Sequence, residues 1–324
     1  MKITPSYQLS VLDEEEYSEK MTAISQQLAK CRQEGTFSGF DGKPLYYEYF
    51  QARESRGAVV LVHGLSEFTK KFYEFSWYML NQGYDVFLYD QRSHGRSCRL
   101  TEDPDMIHVE AFSDYQKDLH CFIRDIVSPV TDGPLYLYAH SMGCAVALQY
   151  LAKHPDVFRK AALSAPMIEP LTGGVSPKTA RFALGAYMLI SKGRKRFWRA
   201  HDFDPDYPFE RSQDKSRARF SWNMGIRLSD HRYHTTPLSF RWVQQSLSLR
   251  PKLMRKGFLK KLQTPILMLC AQYDKVVCSQ AQEAFAAKCP SCRRVVLPDA
   301  THGMLCGTQE TVLAHIQLVL DHFS

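Results

Sequence analysis

Short apolar runs recur along the chain, separated by stretches whose apolar residues fall at helical spacing. The runs are Ala58 to Val62, Asp85 to Tyr89, Leu135 to Tyr138, Ala161 to Ser164, Pro265 to Leu269 and Arg294 to Leu297. Each has the length and bounds of a strand. Between them, Lys71 to Gln82, Phe112 to Val127, Met142 to Lys153, Gln280 to Ala287 and Gln309 to His322 predict helices. Alternation of this kind is the signature of a mostly parallel sheet with crossover helices on its faces, the α/β class. Ahead of it, Tyr17, Met21, Ile24 and Leu28 lie at helical spacing among charges, which predicts an amphipathic helix over Asp13 to Arg32. Thr36 to Phe40 and Leu45 to Phe50 flank Asp41-Gly42, a tight-turn dipeptide, and predict a hairpin.

The rhythm breaks between Met167 and Leu262. That stretch holds helical pieces rich in Arg and aromatics, the loops Asp204-Pro205 and Tyr207-Pro208, and no buried strand pattern. It reads as a mainly helical cap inserted into the sheet. The organisation expected is an N-terminal helical extension (1–35), a core (36–167 and 263–324) and a basic, aromatic-rich cap (168–262). No internal repeat or low-complexity tract interrupts it.

Composition and charge add four points. A chain of 324 residues with 44% hydrophobic content can bury a large core, and one domain with an insertion is the economical reading. The apolar runs are far shorter than the ~20 residues a bilayer crossing needs, and the N-terminus lacks the apolar stretch of a secretory signal. Nine scattered cysteines, several in apolar patterns, suit reduced core thiols and a cytoplasmic setting; Cys289-Pro290-Ser291-Cys292 has no second pair, so no metal site is expected. The cap carries 20 Lys+Arg against seven Asp+Glu, so its net charge of +13 contrasts with −6 for the remainder. The plain reading is a solvated helical surface. The sharper one is peripheral contact with an anionic membrane at the inner face, through Lys192, Arg194, Lys195, Arg196 and Arg199 around Phe197 and Trp198. No nucleic-acid module accompanies this patch, and nothing in the sequence sets the oligomeric state.

The chemistry centres on Ala139-His140-Ser141-Met142-Gly143, which lies between a predicted strand and a predicted helix. A serine on such a sharp turn is held exposed above the sheet with a helix N-terminus beneath it. A serine hydroxyl needs a base, and the base needs an acid to fix its tautomer. Asp274 follows the strand ending at Leu269, and His302 follows the strand ending at Leu297, which gives the order nucleophile, acid, base. Asp299 is the rival acid, but its place three residues before His302 suits a turn better. Oxyanion donors are expected from the backbone N–H groups of Met142 and of Leu65 in Val62-His63-Gly64-Leu65. The segment Tyr89 to Ser97 reads as a structural turn held by Asp90 and Arg92.

Together with Phe112-Ser113-Asp114-Tyr115 and Ser164-Ala165-Pro166-Met167, these motifs resemble the lysophospholipase and monoacylglycerol lipase branch of the α/β-hydrolases over nearly the whole chain. Within it, the Ala139 elbow and the basic cap with Phe240-Arg241-Trp242-Val243 look most like bacterial lysophospholipases. The resemblance implies the triad Ser141, Asp274 and His302, oxyanion donors Leu65 and Met142, and no cofactor. Two positions depart from the family pattern: Ser93 and Ala139 stand where glycine is usual. The activity implied is hydrolysis of single-chain acyl lipids, lysophospholipid or monoacylglycerol, through an acyl-enzyme. The alternatives are a peptidase or amidase on the same fold, for which the cap has few acids to hold an amine, and a non-catalytic binding protein.

Overall fold

The computed structural model describes residues 1–174, 176–190 and 193–324. Eight strands form one sheet: β1 (Gln33–Ser38), β2 (Pro44–Phe50), β3 (Ala58–Val62), β4 (Asp85–Tyr89), β5 (Leu135–His140), β6 (Lys160–Ser164), β7 (Ile266–Ala271) and β8 (Cys292–Leu297). Their spatial order is β1-β2-β4-β3-β5-β6-β7-β8, with β2 antiparallel to both its neighbours and every other pairing from β4 to β8 parallel. The hairpin strand β1 starts at Gln33, three residues earlier than its apolar pattern, because the pairing Gln33 to Tyr49 is made by backbone.

The helices are α1 (Tyr17–Cys31), α2 (Tyr73–Asn81), α3 (Ser113–Phe122), α4 (Met142–Leu151), α5 (Pro177–Ile190), α6 (Arg217–Ser229), α7 (Phe240–Leu247), α8 (Leu249–Leu253), α9 (Lys256–Leu259), α10 (Ser279–Ala286) and α11 (Gln309–Phe323). Alternate strand residues enter two separate cores. Val60, Phe87, Leu137, Leu163 and Met268 pack toward α3, α4 and α10, whereas Val59, Val86, Tyr138, Ala162 and Leu267 pack toward α1, α2 and α11. The apolar stripe of α1 is buried there, so the N-terminal extension is part of the core packing and not an appendage.

Five helices, α5 to α9, lie between β6 and β7. Leu249, Leu253 and Leu259 of α8 and α9 join the same core cluster as α4, so this end of the insertion packs into the sheet layer. The insertion's net positive charge meets acids of the sheet layer at a seam. Arg194 and Arg241 lie against Glu110, Arg196 against Asp103, and the buried Arg219 against Glu74. Charge that looks unbalanced along the chain is therefore partly matched in space.

The turn after β4 is structural. Buried Asp90 accepts the amides of Thr69 and Arg96, both at 2.7 Å, and Arg92 is forked onto Asp118 at 2.5 and 2.7 Å. Ser93 adopts φ +62°, a region that favours glycine, and its hydroxyl donates to the His108 carbonyl at 3.0 Å. The nine cysteines are all free thiols, and six are buried.

Candidate active site

Strand β5 ends at His140 and α4 opens at Met142, leaving Ser141 at φ +52° and ψ −116° on the turn between them. The turn is this tight because α4 lies hard against the end of β3: a Cβ at Gly143 would stand 2.2 Å from the Val62 carbonyl oxygen and 2.5 Å from that of His63. Only glycine fits. Ala139, in contrast, sits within β5 between Val62 and Leu163, where its methyl is absorbed by the core.

The loops after β7 and β8 bring the acid and the base to this turn. His302 Nε2 lies 2.9 Å from Ser141 Oγ, and its Nδ1 lies 2.9 Å from Asp274 Oδ2. With the hydroxyl donating to Nε2, Nδ1–H donates to the carboxylate, which is the tautomer a general base requires. The other carboxylate oxygen of Asp274 accepts the amides of Val276 and Val277 at 2.8 and 3.0 Å, so the acid is fixed at both ends. Asp299 is exposed at φ +55° in the turn after β8, with its amide donating to Gln272, and does not approach His302 through any described hydrogen bond.

Burial and partners set the charges here. Burial would raise the Asp274 pKa, but the hydrogen bond and charge of His302, with the two amides, hold it below the usual carboxylate range. Burial also lowers the His302 pKa; Asp274 opposes this and the neighbouring His140 reinforces it, so the imidazole stays below its ordinary range. Both shifts favour a neutral imidazole beside an ionised carboxylate.

Leu65 lies in the loop after β3, directly after Gly64, and this loop presses on the serine: a Cβ at Gly64 would stand 3.0 Å from Ser141 Cβ. Met142 is the first residue of α4, where N–H groups have no intrahelical acceptor. The structure thus brings all five sequence-expected site residues to the carboxyl edge of the sheet.

Beyond the triad, α5 and α7 enclose an apolar cavity of about 440 Å³ lined by Ala183, Leu184, Trp242, Val243, Phe197 and Leu171, among others. Ser141, Asp274 and His302 are not among its lining residues; the chain after β6 passes from Met167, whose amide donates to the Ser141 carbonyl at 3.1 Å, to Pro170 and Leu171 in the cavity wall. Trp198 and Phe182, 70% and 81% exposed, stand on the outer surface of this region. Trp222, by contrast, is half-buried and packs edge-on against Tyr17 of α1, against the core. Of the basic cluster expected to face a membrane, Arg194 and Arg196 are ion-paired at the seam, Lys195 and Arg199 are exposed, and Lys192 lies outside the described residues.

One pair beside the triad was not singled out by pattern. Glu67 Oε2 lies 2.9 Å from His140 Nδ1, and His140 Nε2 lies 3.2 Å from the carbonyl oxygen of His302. Among described residues, no group of His, Cys, Asp or Glu is arranged to hold a metal ion.

The chain is similar to several known hydrolases. The family model Hydrolase_4, described as serine aminopeptidase S33, matches residues 53–309. Lysophospholipase L2 of Escherichia coli K12 is 28% identical over 310 residues, covering 90% of this chain and 88% of that protein. A monoacylglycerol lipase of Mycolicibacterium smegmatis is 26% identical over 151 residues, 46% of this chain and 52% of that one. Among solved structures, a soluble variant of the Saccharomyces cerevisiae monoglyceride lipase with a substrate analogue superposes at a TM-score of 0.72, with 21% identity over 90% of this chain and 95% of that one.

Proposed function

The chain belongs to the Hydrolase_4 family of α/β-hydrolases, and we propose that it works there as a serine esterase on single-chain acyl lipids, lysophospholipid first and monoacylglycerol next. The observation that carries the catalytic assignment is the unbroken chain of 2.9 Å contacts from Ser141 through His302 to Asp274. The substrate class rests on the lysophospholipase and monoacylglycerol lipase relatives and on the apolar cavity.

In this reading His302 Nε2 takes the Ser141 proton as Oγ attacks the ester carbonyl. The N–H groups of Leu65 and Met142 receive the oxyanion, a contribution of roughly 10²–10³ in rate per donor. His302 then protonates the departing glycerol-side alcohol, leaving an acyl-Ser141. Water, deprotonated by the same imidazole, releases the fatty acid. Residues 168–262 act as a cap whose cavity takes the acyl chain, where each buried CH₂ gains ~0.8 kcal/mol. The outward face of the cap, with Phe182, Trp198, Lys195 and Arg199, rests on an anionic membrane.

The family description also names peptidases. An aminopeptidase needs an unpaired acid to hold the substrate amine; of the insertion's seven acids, Glu169, Asp202, Glu210 and Asp230 are paired with an arginine, and Asp214 is half-buried beside Lys71. The lysophospholipase and monoacylglycerol lipase relatives favour the ester reading.

The test is turnover of lysophosphatidylcholine, lysophosphatidylethanolamine, monoolein and an aminoacyl p-nitroanilide by wild type, Ser141→Ala, His302→Ala, Asp274→Asn and Asp299→Asn. The lipids should be hydrolysed and the anilide should not. The three triad variants should each lose roughly 10³ or more in kcat, and Asp299→Asn should match wild type. Preference for the anilide would overturn the substrate class, and full activity in Asp274→Asn would overturn the triad.

A further inference from the structure

Glu67 lies in the loop after β3 and His140 closes β5, and both are buried, 5% and 6% exposed. Their contacts fix their protonation by elimination. Glu67 Oε1 receives the Lys71 ammonium at 2.7 Å, and Oε2 receives the Gly64 amide at 2.5 Å. A carboxyl holding a cation and an amide in this way is ionised, so it can only accept from His140 Nδ1. The carbonyl of His302, opposite Nε2, can also only accept. An imidazole between two acceptors must carry a proton on each nitrogen.

We propose that His140 is a buried imidazolium, paired with Glu67, that positions the catalytic base and keeps it neutral. One charge pair ties together the three segments that carry the machinery. Gly64 precedes the oxyanion donor Leu65, His140 precedes the nucleophile Ser141, and the His302 carbonyl belongs to the base. The fixed cation stands 5.2 Å from the His302 ring, centroid to centroid, with its counter-ion on the far side. Its field disfavours a proton on resting His302, and makes the imidazolium formed during acylation a stronger acid toward the departing alkoxide. His140 touches no reacting atom in this scheme; it is a positioning residue. The proposal rests on the triad reading for its catalytic half, and the protonation of His140 stands without it.

The titratable and charged neighbours are consistent. Burial would raise the Glu67 pKa, but His140 and Lys71 hold it well below the usual carboxylate range. Around the pair stand Asp214 from the loop before α6, Cys306 and His302 from the segment after β8, His63 at the end of β3, and the buried His315 of α11, whose pKa burial and His140 lower. His63 is buried and its pKa is lowered; its Nδ1 meets the Gly64 carbonyl and its Nε2 accepts the Gln91 amide, so it is neutral. Asp214 and Glu67 flank Lys71, which leaves His140 as the cation nearest the base.

Two measurements test this. The first is NMR of the ¹⁵N-histidine-labelled protein, with His140 assigned by the loss of its signals in His140→Asn. Both ring nitrogens of His140 should carry a proton in the wild type at pH 7, and in Glu67→Gln its Nδ1 should be without one at the same pH. A single protonated nitrogen in the wild type near pH 7 overturns the proposal, whatever Ser141 does. The second is the pH dependence of lysophosphatidylcholine hydrolysis. In Glu67→Gln and His140→Asn, kcat should fall ten-fold or more with KM changed less than three-fold. The acid limb should move to higher pH by about half a unit or more. A fall in kcat with the acid limb unmoved would reduce the pair to a structural role and overturn the electrostatic half. Failure of the triad reading shows separately, as retained activity in Ser141→Ala.

Discussion

A serine hydroxyl is a poor nucleophile, so the site depends on where its proton can go. In the proposed mechanism it goes to His302, whose pKa burial and His140 hold below the ordinary value, despite Asp274. His302 acts as a base only when unprotonated, so kcat/KM should rise with pH through the depressed value and level off. The acid limb should therefore lie below that of a free imidazole, at ~6.5. A pH profile on a soluble short-chain ester measures it, and a limb above 6.5 would contradict the charge assignment around His302. The neighbouring glycine gives a structural counterpart. Gly143→Ala drives a methyl into the carbonyl oxygens of Val62 and His63, backbone atoms that cannot yield without moving the oxyanion loop. Such overpacking costs about 1–3 kcal/mol, and a lowered Tm together with lowered kcat should result. That Ser141, Asp274 and His302 would meet was legible because order along the chain and placement after strand ends are one-dimensional properties. Glu67 and His140 were not, since their contact spans 73 residues and follows no periodicity.

At the level of elements, the strands were legible where apolar runs were short and sharply bounded. Ala58–Val62 and Asp85–Tyr89 are observed with the limits their pattern gives. Strands β5 and β7 run two residues beyond theirs, because backbone pairing with β6 and β8 continues where the side chains have turned polar or small. The insertion resisted reading more. Its aromatics divide between packing against the core, as Trp222 does, and the cavity between α5 and α7, and no spacing rule separates the two. If that cavity holds the acyl chain, filling it should change chain-length preference without touching the chemistry. Ala183→Phe should cut kcat/KM for long-chain lysophosphatidylcholine ten-fold or more while sparing p-nitrophenyl acetate. Equal losses on both esters would place the acyl chain elsewhere.

Across the molecule, the +13 insertion and the −6 remainder meet at a seam, where Glu74, Asp103 and Glu110 hold Arg219, Arg196, Arg194 and Arg241. This pairing was hidden in the sequence because the partners lie 84 to 145 residues apart in the bonded pairs. It leaves Lys195 and Arg199 of the proposed membrane-facing cluster unclaimed by the seam, beside the exposed Phe182 and Trp198, and the exposed Lys178 of α5 is added to them as a third cation. No helix among the described residues is long and apolar enough to cross a membrane, so attachment by this face would be peripheral. At about 1 kcal/mol per cation, neutralising the three should weaken binding to anionic vesicles roughly 100-fold, and salt should weaken wild-type binding too. Co-sedimentation with neutral and anionic vesicles decides it; unchanged binding in the triple variant would return the patch to ordinary solvated surface.

The triad assignment and the lipid-esterase reading meet in one experiment, titration of the protein with a long-chain alkyl fluorophosphonate. Peptide mass spectrometry then locates the adduct, and residual lysophosphatidylcholine hydrolysis is followed alongside. One equivalent should attach to Ser141, activity should fall in proportion to labelling, and lysophospholipid should slow the reaction by occupying the same site. Hydrolysis that persists with Ser141 fully labelled, or activity lost through an adduct at another residue, would contradict it.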